Sequence, residues 1–116
     1  MNRFINIVMR IYYITRAADH NLSYAQYVLG MIYEEGIFVK INIKKAISYL
    51  SASAYQNNRD AQYVMAVFYH QGKYLNQDIT KAIHYYKELS SINDQYAKNN
   101  LGVIYKNGYK VKKSIP

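Results

Sequence analysis

A shift of 36 residues lays this chain onto itself without a single insertion. Ala25, Ala61 and Ala97 fall in one column, Gly30, Ala66 and Gly102 in a second, and Tyr33, Tyr69 and Tyr105 in a third. Gly36, Gly72 and Gly108 make a fourth. Further columns hold Ile7, Ile43, Ile79 and Ile115, then Tyr13, Tyr49 and Tyr85, then Ala46 and Ala82. A period of roughly 20–50 residues restricts a chain to an array of one supersecondary unit, each copy burying its apolar face against its neighbours.

Within one copy the apolar spacing is helical. Ala25-x3-Leu29-Gly30-x-Ile32-Tyr33 repeats at three- and four-residue steps and predicts a first helix, A. Ala46, Ile47, Tyr49 and Leu50, and again Ala82, Ile83, Tyr85 and Tyr86, predict a second helix, B. A glycine inside a helix costs about 1 kcal/mol relative to alanine, so close packing at Gly30 must offset it. Gly36, Gly72 and Gly108 follow the last periodic residues of A and are expected as left-handed C-caps. Asn6, Asn42, Asp78 and Ser114 share a column and are expected as N-caps of B, accepting from unpaired backbone N–H groups. Asn21, Asn57 and Asn93 are expected to end B in the left-handed conformation. Ser23 with Gln26 is expected to form a capping box for the first helix A.

The order is therefore B–A, three times over: helix pairs at 6–35, 42–71 and 78–107 in a single repeat domain spanning 1–116. Residues 108–116 read as the start of a truncated further repeat, with Pro116 in the tolerated first turn of its helix. The hydrophobic fraction of 51% suffices for a core, and 15 tyrosines without a tryptophan suit thin layers in which a ring is half covered and its hydroxyl stays wet.

The quoted residues resemble the Sel-one-like repeat (SLR), a relative of the tetratricopeptide repeat. The match is carried by Ala61-Gln62-Tyr63 through Tyr69-x2-Gly72, then Asp78-x2-Lys81-Ala82-Ile83-x-Tyr85-Tyr86. An earlier copy runs from Ala25-Gln26-Tyr27 through Tyr33-x2-Gly36 to Lys45-Ala46-Ile47-x-Tyr49-Leu50, and Ala17-Ala18 match the family's helix-B end. Tyr33 and Ala46 lie 13 residues apart, which needs the longer inter-helix turn of this type. The resemblance implies an all-α fold, a right-handed α–α superhelix or solenoid of three such repeats. It also implies a scaffold that holds partners on a concave face lined by helix A. Departures concentrate in the first copy: Arg10 stands in an alanine column, and Val8, Met9 and Tyr12 replace Lys44, Lys45 and Ser48. Ser53, Leu89 and Ser90 dilute the later alanine pairs, and the cysteine staples of some extracellular members are missing.

On this reading the chain is a non-catalytic adaptor for a partner protein or peptide. The expected contact residues are Tyr27, Met31 and Glu34, then Tyr63, Val67 and His70, then Asn99, Val103 and Lys106, all outside the packing positions. Along the last column the side chain passes from acid to histidine to lysine, a gradient a peptide could read. No catalytic, cofactor or metal residues are expected. His20, His70 and His84 show no metal-ligand spacing, Glu34 and Glu35 point ~100° apart on a helix, and no phosphate loop or nucleophile elbow occurs. The absence of cysteine excludes a disulfide framework and cysteine-ligated zinc, and matches a reducing compartment; a cytoplasmic location is expected.

The net charge of +8 allows a nucleic-acid surface, with Lys106, Lys110, Lys112 and Lys113 around Tyr105 and Tyr109. Because Tyr105 and Gly108 already belong to repeat columns, solvated lysines are the preferred reading, and nucleic acid is the alternative. A regulatory fragment of a larger protein or enzyme is another. Met1 to Ile14 is too short and too charged to span a membrane, and reads as an amphipathic helix rather than a signal peptide. End-to-end self-association through uncovered terminal helices is also expected.

Overall fold

In the computed structural model, which describes residues 2–108, every regular element is a helix. These are α1 (Arg3–Asp19), α2 (Ser23–Glu35), α3 (Ile43–Tyr55), α4 (Arg59–Gln71), α5 (Ile79–Ser90) and α6 (Gln95–Lys106). Helices α1, α3 and α5 are the B helices of the periodicity; α2, α4 and α6 are the A helices. The readings placed on Tyr109, Lys110, Lys112, Lys113, Ser114, Ile115 and Pro116 lie outside the described residues. The chain divides into two compact units, Met1–Ala61 and Gln62–Pro116.

In the first unit α2 packs on both α1 and α3. Ala18, Ala25 and Leu29 form one buried cluster, with Ile14, Ala17, Tyr33 and Tyr49 packed around it. Gly30 earns its place on the other side of α2. A Cβ there would stand 2.7 Å from Leu50 Cγ and 3.2 Å from the Ala46 carbonyl oxygen. Only a glycine lets α3 approach this closely, and the approach buries Ala46 and Leu50 completely. Burying Leu50 alone contributes about 1.5–3 kcal/mol. In the second unit α5 packs on α6. Its core joins Ala66, Ala82, Ile83, Tyr86, Leu89, Ala97 and Ile104.

The turns repeat as closely as the sequence columns do. Each A-to-B turn leaves its helix through a glycine with positive φ, 72° at Gly36 and 69° at Gly72. A second left-handed residue follows two positions later, Phe38 or Tyr74. The backbone N–H of the next N-cap then returns to the end of helix A: Asn42 donates to the Tyr33 carbonyl at 3.0 Å, and Asp78 to the Tyr69 carbonyl at 2.9 Å. The side chains of Asn42 and Asp78 accept from the N–H of Lys45 and Lys81. Each of those lysines lays its ammonium over the tyrosine that starts the turn, 5.1 Å from the Tyr33 ring and 5.1 Å from the Tyr69 ring. The B-to-A turns use Asn21, Asn57 and Asn93 at φ of 71°, 67° and 68°. The N–H of the following residue closes a six-residue ring in each, from Leu22 to Ala17, Asn58 to Ser53 and Asp94 to Leu89.

Two capping expectations fail in the first copy. Asn6 is not an N-cap, because α1 starts earlier: Asn2 caps it by accepting from the Phe4 N–H, and Asn6 lies inside the helix. The capping box of Ser23 with Gln26 does not form either. Leu22 occupies the N-cap of α2 without a side-chain bond, and Ser23 is the first helical residue. The equivalent positions Asn58 and Asp94 do cap, accepting from Ala61 and Ala97. Gln26 is instead buried and reaches backwards, donating to the Ala18 carbonyl and to Asn21 Oδ1 at 3.3 Å each. Gln56 donates to Gln26 Oε1 and to the Asn21 carbonyl, both at 2.9 Å, so three side chains tie the ends of α1 and α3 to the start of α2. Ser53, which dilutes the alanine pair, is also buried and donates to the Ser23 carbonyl at 2.7 Å.

One contact in this unit gives an alkaline signature. The Tyr49 hydroxyl donates to Asp19 Oδ1 at 3.0 Å, and the Tyr49 ring stacks on Tyr33. Partial burial first, then the Asp19 hydrogen bond and charge, push the hydroxyl up from 10.0 to about 12. A raised pKa means that the folded state holds this proton longer than the unfolded chain does. The associated stability is complete below pH 10 and is lost as pH rises towards 12. Chemical denaturation across that window is expected to show a steeper loss of stability in the native chain than in Tyr49→Phe. Equal slopes would mean that this hydroxyl takes no part.

Candidate binding surface

Helix A was expected to divide its side chains between packing and contact, and the structure redraws that division. On α2, Tyr27, Met31 and Glu34 are half-buried, while Tyr24 is 63% exposed. The Tyr24 and Tyr27 rings lie 6.5 Å apart and tilted, a small aromatic shelf near the start of the helix. Burial, and then the Asp60 carboxylate, raise the Tyr27 hydroxyl above the usual phenol range, so it is a neutral donor at neutral pH.

On α4 the three expected contact residues are half-buried and have neighbours in the second unit. The Tyr63 ring meets Tyr86 edge-on at 6.1 Å and Tyr96 at 6.3 Å, and its hydroxyl accepts from Asn100 Nδ2 at 3.0 Å. Val67 packs against the core of the second unit. The His70 ring stands edge-on to Tyr86 at 6.1 Å. Burial lowers the His70 pKa, so the ring is neutral at neutral pH and lends the expected gradient no charge. Tyr63 and Val67 are thus packing residues, a correction to their placement outside the core. The spacing could not reveal this, because the core they pack against is built largely from other helices.

On helix α6 the expected contact residues are exposed. Ala97 and Ile104 are fully buried on one side. Tyr96, Asn99, Val103 and Lys106 recur at three- and four-residue steps on another side, and all are exposed, Tyr96 by 71% and Val103 by 46%. Gln95 Nε2 donates to Asn99 Oδ1 at 3.0 Å, which holds that amide on the surface. The stripe thus offers an aromatic ring, an amide, a branched aliphatic and an ammonium in succession.

The histidines are scattered. His20 Nδ1 lies 2.7 Å from the Arg16 carbonyl. His84 does have a carboxylate at helical spacing: Glu88 Oε1 is 3.8 Å from His84 Nε2. Both side chains are largely exposed. Among the described residues no three histidine or carboxylate side chains gather as metal ligands would, and no helix is long and apolar enough to cross a membrane.

The sequence profile of the Sel1 repeat matches residues 23–58, 59–94 and 95–116. Its unit begins with helix A, so α1 precedes the first matched repeat. A Sel1 repeat protein from Oxalobacter formigenes is 32% identical and superposes with a TM-score of 0.81, covering 90% of this chain and 42% of its own. A protective antigen of uropathogenic Escherichia coli strains, with an SLR fold, is 28% identical at a TM-score of 0.81, covering 88% of this chain and 22% of its own. The cysteine-rich protein B of Helicobacter pylori shares the fold at 22% identity and a TM-score of 0.69, over 77% of this chain and 67% of its own. The chain thus spans less than half the length of the first two solved structures. No curated protein matches it significantly.

Proposed function

The chain belongs to the Sel1 repeat family, an all-α helical-repeat family of the solenoid class, and from that premise we propose that it is a non-catalytic adaptor binding a partner protein or peptide along its A helices. Sel1 repeats are in general protein–protein interaction modules. The observation that carries the reading here is the α6 stripe of Tyr96, Asn99, Val103 and Lys106, exposed while the opposite side of the same helix is fully buried. A mixed apolar and polar stripe on a rigid helix suits an extended or helical peptide, because tyrosine and valine supply contact area while the amide and ammonium fix register. The half-buried residues Tyr27, Met31 and Glu34 on α2 would contribute to the same mode of binding. Tyr63 and Val67 would act by holding the surface in place.

The test compares the chain with a Val103→Asp, Lys106→Glu variant in affinity capture, after circular dichroism shows equal helicity. Both positions are exposed, so the fold is expected to survive. A specific protein partner is expected to bind the variant about tenfold or more weakly, the loss of roughly 1.4 kcal/mol or more. Undiminished capture would remove α6 from the binding surface. Binding that collapses steeply between low and moderate salt would support a nucleic-acid partner instead.

A further inference from the structure

Helix α1 departs from its copies at the positions that face water in them. Lys44, Lys45 and Ser48 are exposed on α3, and so are Thr80, Lys81 and His84 on α5. The 36-residue register puts Val8, Met9 and Tyr12 in their place. These three are exposed as well, by 48%, 41% and 51%. A further repeat stacked against α1 would not cover them, because α3 has a helix pair before it and still leaves the same positions in solvent. The apolar surface is therefore additional to the ordinary face of a repeat end.

It continues into a groove. Phe4, Ile7, Val8, Ile11, Phe38 and Val39 line an open cavity of about 300 Å³ between α1 and the turn after α2. Phe4 and Phe38 project from it, 69% and 71% exposed. Every lining side chain is apolar, so none offers a polar atom to orient a peptide or small ligand, as specific sites do. The segments that carry it, α1 and the turn, hold more exposed cations than carboxylates, Glu35 before the turn being one of the latter. Arg3, Arg10, Arg16 and Lys40 are all exposed, and the Arg16 guanidinium lies 5.8 Å over the Tyr12 ring. The one carboxylate of α1, Asp19, sits at its far end and accepts from Tyr49.

A second copy would bring a like arrangement of arginines against this one, which opposes pairing. An anionic lipid surface demands no fixed polar contacts. It takes phenylalanine and aliphatic side chains below its headgroups, tyrosines at their level, and arginines against its phosphates. We propose that the first unit docks on anionic membrane surfaces through α1 and the turn carrying Phe38. Helix α1 lies in the interface there rather than crossing it. The net charge of +8 adds long-range attraction to the same surface.

The experiment is co-sedimentation of the full chain with vesicles of phosphatidylcholine alone and of phosphatidylcholine mixed equally with phosphatidylglycerol. Binding is expected to the mixed vesicles only. Phe4→Ser with Phe38→Ser leaves the charge unchanged and is expected to weaken binding ~10-fold. Val8→Lys, Met9→Lys and Tyr12→Ser gives α1 the residues of α3 and raises the charge by two. It too is expected to weaken binding, although a purely electrostatic attachment would strengthen. Helicity by circular dichroism establishes that both variants fold. The proposal is overturned if the native chain ignores the mixed vesicles, or if both variants bind them as well as it does. It is overturned equally if ultracentrifugation finds a dimer that the phenylalanine replacements dissolve while no vesicle binding occurs.

Discussion

Tyr86→Ala is expected to lower the stability of the second unit by about 3–5 kcal/mol, the range for removing a large aromatic from a core. Tyr86 is fully buried on α5 and sits in one cluster with Ala66, Ala82, Ala97 and Ile104. The edges of Tyr63 and His70 close around its ring. Its neighbours in the cluster include several alanines, which cannot swing in to fill the space left. The hydroxyl tells a different story from the ring. It is buried with no hydrogen-bond partner among the described residues, and burial holds its pKa far above the ordinary phenol value. Leaving a buried hydroxyl unpaired costs about 1–3 kcal/mol. Tyr86→Phe keeps the ring and removes that burden, so its stability is expected to equal or exceed that of the native chain. Urea unfolding of the two variants separates the contributions. A phenylalanine variant much weaker than the native chain would mean that the hydroxyl is paired after all.

The second large effect has opposite signs at two positions of one column. Gly30→Val is expected to cost about 2–4 kcal/mol, combining overpacking with a backbone shift. Its Cβ would fall 2.7 Å from Leu50 Cγ and 3.2 Å from a backbone oxygen, and Leu50 is itself fully buried. Gly30→Ala meets the same atoms, but the helix preference for alanine returns up to ~1 kcal/mol of the loss. At Gly102 no atom of the described residues lies within 4 Å of an added Cβ. Gly102→Ala is therefore expected to stabilise the chain by about 0.5–1 kcal/mol through helix preference alone. Thermal unfolding of the three variants checks the contrast, and a destabilised Gly102→Ala would contradict it. The middle copy carries Ala66 in this column and Tyr86 in the Leu50 column. Ala66 and Tyr86 share one buried cluster, so a methyl group is accommodated in this column where Leu50 leaves no room for one.

That exchange marks the limit of what the sequence makes legible. Period, helix order and the left-handed caps follow from residues whose backbone preference is local, and Gly36, Gly72, Asn21, Asn57 and Asn93 take the conformations that column position implies. The N-caps Asn42 and Asp78 are equally local. Readings fail where a side chain answers to another helix. Gln26 looks like a capping residue by spacing, yet its partners are Ala18, Asn21 and Gln56. Tyr63 looks like surface by column, yet Tyr86 and Asn100 claim it. The first copy misleads for a further reason: its Asn6 sits in the right column, but Asn2 offers an earlier start that α1 takes. Of the expected contact residues, those on α6 are exposed, and among the described residues none of them belongs to the core cluster of the second unit.

Helices α1 and α2, α2 and α3, and α5 and α6, which pack on one another, are also consecutive in the chain. During synthesis each of these partners leaves the ribosome directly behind the helix it will cover, so its apolar side waits only for the next dozen or so residues. Closing such short loops costs little entropy, and helical chains dominated by local contacts fold in roughly microseconds to milliseconds. A nascent chain of this kind therefore exposes few unsatisfied surfaces for long. It should depend less on holding chaperones than a β-sandwich of equal length, whose first strand must await its last.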